Sequence, residues 1–347
     1  FVGPPVAAIR AMADKTEARR LMQAAGVPVV PGSPGPVRDP GEARRAAAAL
    51  GFPVLLKAAA GGGGIGMARA DAPGDLEAAF AAAQRRAQAA FGNGALYVER
   101  YLDRARHVEI QIFGDNRGEV VHLHERECSI QRRHQKLIEE APAPGLAAAT
   151  KTALTAAAVR GARSIGYANA GTMEFLLDPA GAFCFLEMNT RIQVEHPVTE
   201  EVTGRDLVVA QLRVAAGEPL PWRQDDVVVQ GAALECRVYA EDPARGFLPS
   251  PGIVTRLVLP AGEGIRVESG VVEGSHVPVH YDPLLMKLVA HGDSRSQALA
   301  RMGAALDACI VEEVRTTLPF LRRVVRHPEF HRGAVHVQMV EQGAFNA

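Results

Sequence analysis

The sequence predicts an α+β fold in two units. Two hairpin-like strand pairs, at 107–127 and 171–187, lie between segments whose apolar spacing is typical of helices. The Pro-rich stretch 219–222 is the clearest linker. Beyond it, short strands between 227 and 290 come before further helices, which indicates a second, smaller α+β unit.

Composition limits the possible function classes. The chain has 347 residues, of which 48% are apolar, so a packed core is expected and global disorder is excluded. The net charge of −1 gives no basic field for nucleic acid. No apolar run reaches the roughly 18 residues of a membrane helix, and no signal peptide is visible. The four cysteines form no CxxC pair, which is typical of a reduced, cytoplasmic protein.

Individual elements follow from spacing and from turn residues. Apolar spacing, with Gly or Pro near several ends, predicts helices at 5–25 (one or two), 40–50, 74–91, 146–165, 206–217, 294–309 and 316–326. Alternation or short apolar runs between turn residues predict strands at 52–58, 67–70, 96–102, 107–115, 119–127, 171–178, 182–187, 227–241, 252–259, 265–269 and 284–290.

The segment 186–197 is the most informative stretch. If it is extended, side chains alternate between two faces. One face then carries two carboxylates, one guanidinium and two amides, from Glu187, Asn189, Arg191, Gln193 and Glu195. Oxygen ligands suit a hard cation such as Mg²⁺, and a guanidinium suits a planar oxyanion. An ordinary surface strand is the alternative.

A glycine-rich segment at 61–66 follows the apolar strand that contains Lys57. It satisfies GxGxxG literally, but a strand and not a helix is expected next, which disfavours a dinucleotide fold. Met67 stands where a P-loop needs lysine. We therefore expect a hairpin flap whose backbone N–H groups close over phosphates. A flexible surface hairpin is the alternative.

Two carboxylates are expected to lie side by side. The strands 171–178 and 182–187 pair around a Pro-Ala-Gly turn, which brings Glu174 beside Glu187. Two adjacent carboxylates repel unless a proton or a cation lies between them, and Mg²⁺ resolves the repulsion. The alternative is two partly exposed strand glutamates.

The segment 128–136 is basic and polar, and it is expected to be a loop. Such a charge run is usually solvated. No aromatic residues interleave for base stacking, so a compact anion such as phosphate or bicarbonate is a better partner than nucleic acid.

These motifs together resemble biotin carboxylase, the ATP-grasp component of acetyl-CoA, propionyl-CoA, methylcrotonyl-CoA and pyruvate carboxylases. The resemblance runs from Phe1 to about Gln342, and its motifs occur at 61–67, 125–136, 139–144, 187–199, 235–243 and 247–252. It implies an ATP-grasp domain at 1–217 with a lid subdomain at 31–102, and a biotin carboxylase C-terminal domain at 227–342. The family's N-terminal domain is absent from this sequence.

The resemblance also implies a reaction. ATP phosphorylates bicarbonate to carboxyphosphate, which yields CO₂ for the N1′ atom of biotin. The implied cofactors and substrates are ATP, Mg²⁺ or Mn²⁺, bicarbonate, and biotin on a carrier protein or domain. A carboxyltransferase partner, a homodimer or larger complex, and the first half-reaction of an acyl-CoA carboxylase, as in fatty acid biosynthesis, are expected.

Roles are implied at the matching positions. ATP binding is assigned to Lys15, Lys57, Gly62, Gly63, Gly64, Gly66, Met67, Glu99, Leu102, His107, Gln131 and His134. Metal binding is assigned to Glu174, Glu187 and Asn189, and bicarbonate binding to Arg191, Gln193, Val194 and Glu195. The catalytic group is Glu195 as general base, Arg191, Lys136, and Arg237, which stabilises the biotin enolate.

The sequence leaves two alternative functions open. Another ATP-grasp carboxylate or amine ligase shares the glutamate pair and the flap, but is not expected to have Arg191, Gln193, Glu195 and Arg237 in this order. A truncated, inactive nucleotide-binding domain is the non-enzymatic alternative. Ile65, where the family often has a basic residue, removes one potential phosphate contact.

Overall fold

A computed structural model gives the structure of residues 1–59 and 66–346. The α-helices of these ranges are α1 Val6–Ala13, α2 Lys15–Ala24, α3 Pro40–Leu50, α4 Leu76–Phe91, α5 Ala148–Ser164, α6 His196–Thr203, α7 Leu207–Ala215, α8 Arg295–Ala308, α9 Leu318–Arg326 and α10 Pro328–His331. Within these ranges, no helix combines the length and the apolar character needed to cross a membrane.

The strands of the same ranges are β1 Val54–Ala58, β2 Ala68–Ala70, β3 Leu96–Arg100, β4 Arg106–Gly114, β5 Val120–Arg132, β6 Gln135–Ala141, β7 Asn169–Leu177, β8 Phe183–Asn189, β9 Ala232–Tyr239, β10 Glu241–Asp242, β11 Leu248–Pro249, β12 Gly252–Ile253, β13 Arg256–Val258, β14 Ile265–Ser269, β15 His276–Val277, β16 Leu284–Gly292 and β17 Ile310–Glu312. Most of them match the predicted strands, with ends that differ by a few residues.

The largest sheet has eight strands in the order β14-β16-β9-β6-β5-β4-β7-β8. Its neighbouring strands pair antiparallel throughout. The sheet runs across the predicted linker, because β6 pairs with β9 through Ile138↔Cys236 and Glu140↔Leu234. Side chains from both predicted units therefore lie on one continuous surface.

A separate three-stranded sheet, in the order β2-β1-β3, forms the smaller subdomain. Its apolar face packs on α3 and α4, with Leu56, Phe80 and Val98 almost fully buried. The side chain of Asp39 caps α3 by accepting from the backbone N–H of Glu42, as expected at a helix start. The predicted strand 67–70 is confirmed as β2, which pairs with β1.

The prediction of a loop at 128–136 is wrong. Strand β5 continues to Arg132, and the chain turns at Arg133 and His134, both with positive φ, before it returns as β6. Polar composition suggested solvent, but Ser129 and Gln131 are buried and paired with other polar groups. Buried polar side chains that satisfy one another permit a strand where isolated polarity predicts a loop.

The extended conformation predicted for 186–197 is only partly correct. Strand β8 ends at Asn189, and α6 begins at His196. Residues 190–195 form bends and a turn. The two-residue alternation therefore explains the placement of Glu187 and Asn189, whereas Arg191, Gln193 and Glu195 are placed by the turn.

Candidate functional site

A cleft of about 980 Å³ lies between the small sheet and the face of the large sheet. The predicted site residues that line it are Lys15, Lys57, Met67, Glu99, Leu102, His107, Gln131, His134, Lys136, Glu174, Glu187, Asn189, Arg191, Gln193, Val194, Glu195 and Arg237. Gly66 does not line it; a Cβ there would meet Ala58 and Ala87. The positions Gly62, Gly63 and Gly64 lie outside the described residues.

Lys136, on β6, is the centre of the acidic end of the cleft. Its Nζ lies 2.5 Å from Glu109, 3.0 Å from Glu174 and 2.5 Å from Glu195. Burial alone would lower the pKa of Lys136, but Glu109 and Glu174 outweigh burial and hold the pKa well above its usual value. The ammonium is therefore charged, and its three donors can serve three carboxylates at once.

Glu195 joins Lys136 to Arg237. One carboxylate oxygen accepts from Lys136, and Oε2 accepts from Nη2 of Arg237 at 2.7 Å. Burial alone would raise the pKa of Glu195, but Lys136 and Arg237 outweigh it and hold the pKa below its usual range. Glu195 is therefore ionised, and it links a residue of β6 to a residue of β9.

The predicted metal residues meet where β7 pairs with the C-terminal half of β8. Glu174 and Glu187 are directly opposite each other across these strands. Oε1 of Glu174 accepts from Nδ2 of Asn189 at 2.9 Å. No Lys, Arg or His nitrogen of the described residues lies within 4.0 Å of the Glu187 carboxylate. These oxygen donors fit Mg²⁺, and Glu187 interacts with Lys15 and Lys57 only at longer range.

His107 lies against the metal residues. Its Nε2 is 3.1 Å from Oε2 of Glu174, and its Nδ1 faces the amide of Gln131 at 3.2 Å. Burial alone would lower the pKa of His107, but the Glu174 carboxylate outweighs burial and raises it. His107 therefore helps to hold Glu174 in its ionised form.

Two lysines, Lys15 and Lys57, also line the cleft. Nζ of Lys57, on β1, lies 2.5 Å from Oε2 of Glu99, and Arg19 binds the other oxygen of Glu99. Burial alone would lower the pKa of Lys57, but Glu99 outweighs it and raises the pKa. At Lys15, burial and the nearby charge of Lys57 lower the pKa. Two neighbouring lysines of this kind suit a polyanion.

The turn 190–195 presents the remaining polar groups. Arg191 is exposed, and its Nη2 is 3.3 Å from Oδ1 of Asn189. Gln193 is buried, and its Nε2 donates to Glu174 at 2.9 Å. The carbonyl of Val194 accepts from Lys287 at 2.8 Å. An available guanidinium beside fixed amide groups can hold a small planar anion.

Sequence reasoning missed three buried residues of this site, namely Glu109, Arg126 and Glu139. Glu109 binds Lys136, Arg126 binds Gln193, and Glu139 lies beside Arg237. A signal existed for Glu109, because it lies two residues after His107 on a predicted strand and so shares its face. Arg126 lies on the predicted strand 119–127 and Glu139 follows the segment 128–136, for which the sequence predicts a loop, and no local pattern distinguishes them from charges that face solvent.

Comparisons with known proteins match almost the whole chain. The family model "Carbamoyl-phosphate synthase L chain, ATP binding domain" matches residues 14–223, and "Biotin carboxylase C-terminal domain" matches residues 235–342. Biotin carboxylase of Nostoc sp. is 49% identical over 99% of this chain and 76% of the relative. Biotin carboxylase of Halalkalibacterium halodurans is 49% identical over 96% of this chain and 74% of the relative.

Solved structures show the same architecture. A biotin carboxylase–ATP complex from Campylobacter jejuni superimposes with a TM-score of 0.96 at 44% identity, over 99% of this chain and 76% of its own. The biotin carboxylase domain dimer of Hydrogenobacter thermophilus 2-oxoglutarate carboxylase, with MgADP, ADP and bicarbonate, gives 0.97 at 44% identity, with the same coverage. The predicted α+β, ATP-grasp fold is thereby confirmed.

Proposed function

Because this chain belongs to the biotin carboxylase family, we propose that it catalyses the ATP- and bicarbonate-dependent carboxylation of biotin held on a carrier. Bicarbonate attacks the γ-phosphoryl group of ATP, which forms carboxyphosphate and releases ADP. Carboxyphosphate then breaks down to phosphate and CO₂; the phosphate takes the N1′ proton of biotin, and N1′ forms a bond to the carbon of CO₂. The product is the carboxyl donor for a separate carboxyltransferase.

The bridge from Lys136 through Glu195 to Arg237 is the single observation that best supports this proposal. It places one carboxylate between two cations, within the same cleft as Lys57 and Glu187. In this arrangement the two cations keep Glu195 ionised but weakly basic. We propose that an anionic substrate draws Arg237 away from Glu195, which strengthens Glu195 as the base that takes the bicarbonate proton.

Phosphoryl transfer depends on alignment and charge neutralisation more than on covalent chemistry. Lys15 and Lys57 would neutralise the phosphates of ATP. Glu174, Glu187 and Asn189 would hold Mg²⁺, which supplies positive charge to the transferred group. Arg191 and Gln193 would orient bicarbonate.

Several finer assignments are part of the same proposal. Mn²⁺ is expected to replace Mg²⁺, because both are hard cations that accept oxygen ligands. The partners are a biotin carboxyl carrier protein or domain, a carboxyltransferase and a second copy of this chain. Support for a dimer comes from the Hydrogenobacter relative, described as a domain dimer. We also propose a cytoplasmic location, a role in fatty acid biosynthesis, and a boundary between the ATP-grasp and C-terminal domains at residues 217–227.

The test is ATP hydrolysis by purified full-length protein, measured with and without bicarbonate and free biotin. Bicarbonate-dependent hydrolysis that biotin stimulates supports the proposal. Hydrolysis that requires ammonia or an amine, without bicarbonate, would instead assign another ATP-grasp ligase. Nucleotide binding without any turnover would select the inactive scaffold.

A further inference from the structure

Arg126, on β5, has no exposed surface and is one of the largest fully buried side chains. A guanidinium has five N–H donors. Nε donates to Oε1 of Glu109 (2.6 Å), Nη1 donates to Oε1 of Gln111 (2.7 Å) and Oγ1 of Thr199 (2.9 Å), and Nη2 donates to Oγ1 of Thr172 (3.2 Å) and Oε1 of Gln193 (2.9 Å). Each donor therefore has an acceptor, and the orientation of the group is fully determined.

The first consequence concerns Gln193. Its Oε1 accepts from Arg126, so its Nε2 is the end that donates to Glu174 at 2.9 Å. A guanidinium offers no acceptor, and a reversed amide would place two sets of donors against each other. Arg126 therefore decides which end of the Gln193 amide faces Glu174 and the cleft.

The second consequence concerns Lys136. Glu109 accepts a hydrogen bond from Arg126 through Oε1 and another from the ammonium of Lys136 through Oε2, at 2.5 Å. Glu109 is also fully buried, so it has no solvent to compensate for a lost partner. Arg126 thus fixes, through Glu109, the position of the lysine that holds Glu195.

We propose that Arg126 is a positioning residue that sets the bicarbonate end of the cleft through Gln193 and Glu109. The inference rests on the proposed function, because it assigns bicarbonate to that end. A residue that acts only in folding would lower stability without changing the ratio of the two substrate affinities. A positioning residue of this kind changes the affinity for bicarbonate more than that for ATP.

The main variant is Arg126→Lys. It keeps the charge, but one ammonium cannot reach both the carboxylate of Glu109 and the amide of Gln193 in the way a planar fork does. The KM for bicarbonate should rise by at least about tenfold and kcat should fall, because small displacements of reacting groups are costly. The KM for ATP should stay within about twofold. An unchanged bicarbonate KM in folded protein would overturn the inference.

Arg295→Lys is the matched control. Arg295 also makes a two-nitrogen contact to a carboxylate, that of Glu140, and it binds the carbonyls of Phe330 and His331. It does not line the cleft. Arg295 is half-buried, whereas Arg126 is fully buried. The control should lose stability without changing the ratio of the two KM values; an equal change in the control would show that loosening an arginine–carboxylate pair outside the cleft is sufficient and would overturn the inference.

A milder variant keeps the experiment decisive if Arg126→Lys does not fold. Thr172→Val with Thr199→Val removes two of the five acceptors and retains Arg126. We expect the bicarbonate KM to rise about threefold, less than for the lysine variant because the contacts to Glu109 and Gln193 persist. If this variant folds and binds bicarbonate like the wild type, the inference about Arg126 is overturned and the proposed function still stands. If the wild type itself shows no bicarbonate-dependent ATP hydrolysis, the proposed function fails and the inference fails with it.

Discussion

Oε1 of Glu139 lies 2.5 Å from Nη2 of Arg237, and Glu139 has no exposed surface. Glu139 faces Glu235, also fully buried, directly across β6 and β9. Burial raises the pKa of Glu139 to about 7, although Arg237 opposes this, and the nearby charge of Glu195 adds to the rise. Glu139 therefore holds a proton under conditions where an ordinary glutamate does not.

The first prediction concerns stability and pH. Between the ordinary pKa of 4.5 and the raised value of about 7, the folded chain binds a proton that the unfolded chain has released. This contribution is complete below pH 4.5 and is lost as pH rises through about 7. Glu139→Gln cannot lose a proton, so its free energy of unfolding relative to wild type should increase over this interval, by up to about 1 kcal/mol per pH unit.

Urea unfolding at pH 5, 6, 7 and 8 (about one-unit steps) measures this difference, because other titrating groups cancel between the two proteins. Glu312→Gln, an exposed strand glutamate, is the control and should show a constant difference. A difference for Glu139→Gln that does not depend on pH would show that Glu139 is ionised in the folded protein.

The second prediction concerns Glu195→Gln. The glutamine imitates a protonated, neutral Glu195, a form that Lys136 and Arg237 suppress in the wild type. We expect kcat for bicarbonate-dependent ATP hydrolysis to fall by about a hundredfold or more, because a positioned base contributes that much. Steady-state kinetics with Glu200→Gln as control, outside the cleft, measures the effect. Activity within about threefold of wild type would rule out Glu195 as the base.

The third prediction concerns the metal. Glu187→Gln removes a charged ligand but leaves the strand pairing of β7 and β8 intact. The Mg²⁺ concentration for half-maximal activity should rise by about ten- to a hundredfold, as is typical when a metal site is weakened. Titration with Mg²⁺ at saturating bicarbonate measures it. If Glu187→Gln responds to Mg²⁺ as the wild type does, the metal is held elsewhere, and the group of His107, Glu109 and Glu174 becomes the next candidate.

The fourth prediction concerns Lys57→Met. Lys57 and Glu99 form a buried ion pair, and removal of one partner leaves the other without that ion-pair partner in the protein interior. Arg19 still binds Glu99, so the loss of stability should be about 1–3 kcal/mol, below the cost of an unpaired buried charge. The Kd for ATP should rise at least about tenfold. Calorimetric titration with ATP, beside the control Lys151→Met, measures it; equal ATP affinity in all three proteins would exclude Lys57 from the phosphate site.

Local patterns predicted most helices and strands, but not the helices α6 and α10, and the predicted hairpin placed Glu174 beside Glu187 correctly. Periodicity failed from Arg191 to Glu195, where a turn replaces the strand. These side chains still line the same cleft as Glu174 and Glu187. A turn leaves no period in the sequence, so its geometry could not be read from spacing.

The segment 128–136 shows the other limit. Hydrophobicity patterns assume that polar residues seek water, and here Gln131 and Lys136 are satisfied inside the protein by His107 and by carboxylates. The partners of Lys136 come from β4, β7 and the turn before α6, so no local window contains them. The same holds for Arg126, whose acceptors are up to 73 residues distant in sequence.

The continuity of the large sheet restricts how this protein can be divided. A cut at 219–222 would separate β6 from β9 and leave both strands with unpaired backbone groups at an exposed edge. Such edges recruit other chains and promote aggregation. The cut would also divide the site, because Arg237 would lie on one fragment and Lys136 and Glu195 on the other. Split-protein reporters or domain exchanges with relatives should therefore keep residues 106–292 together, because the strands of the large sheet run from β4 to β16, and place junctions at the rim of the small sheet instead.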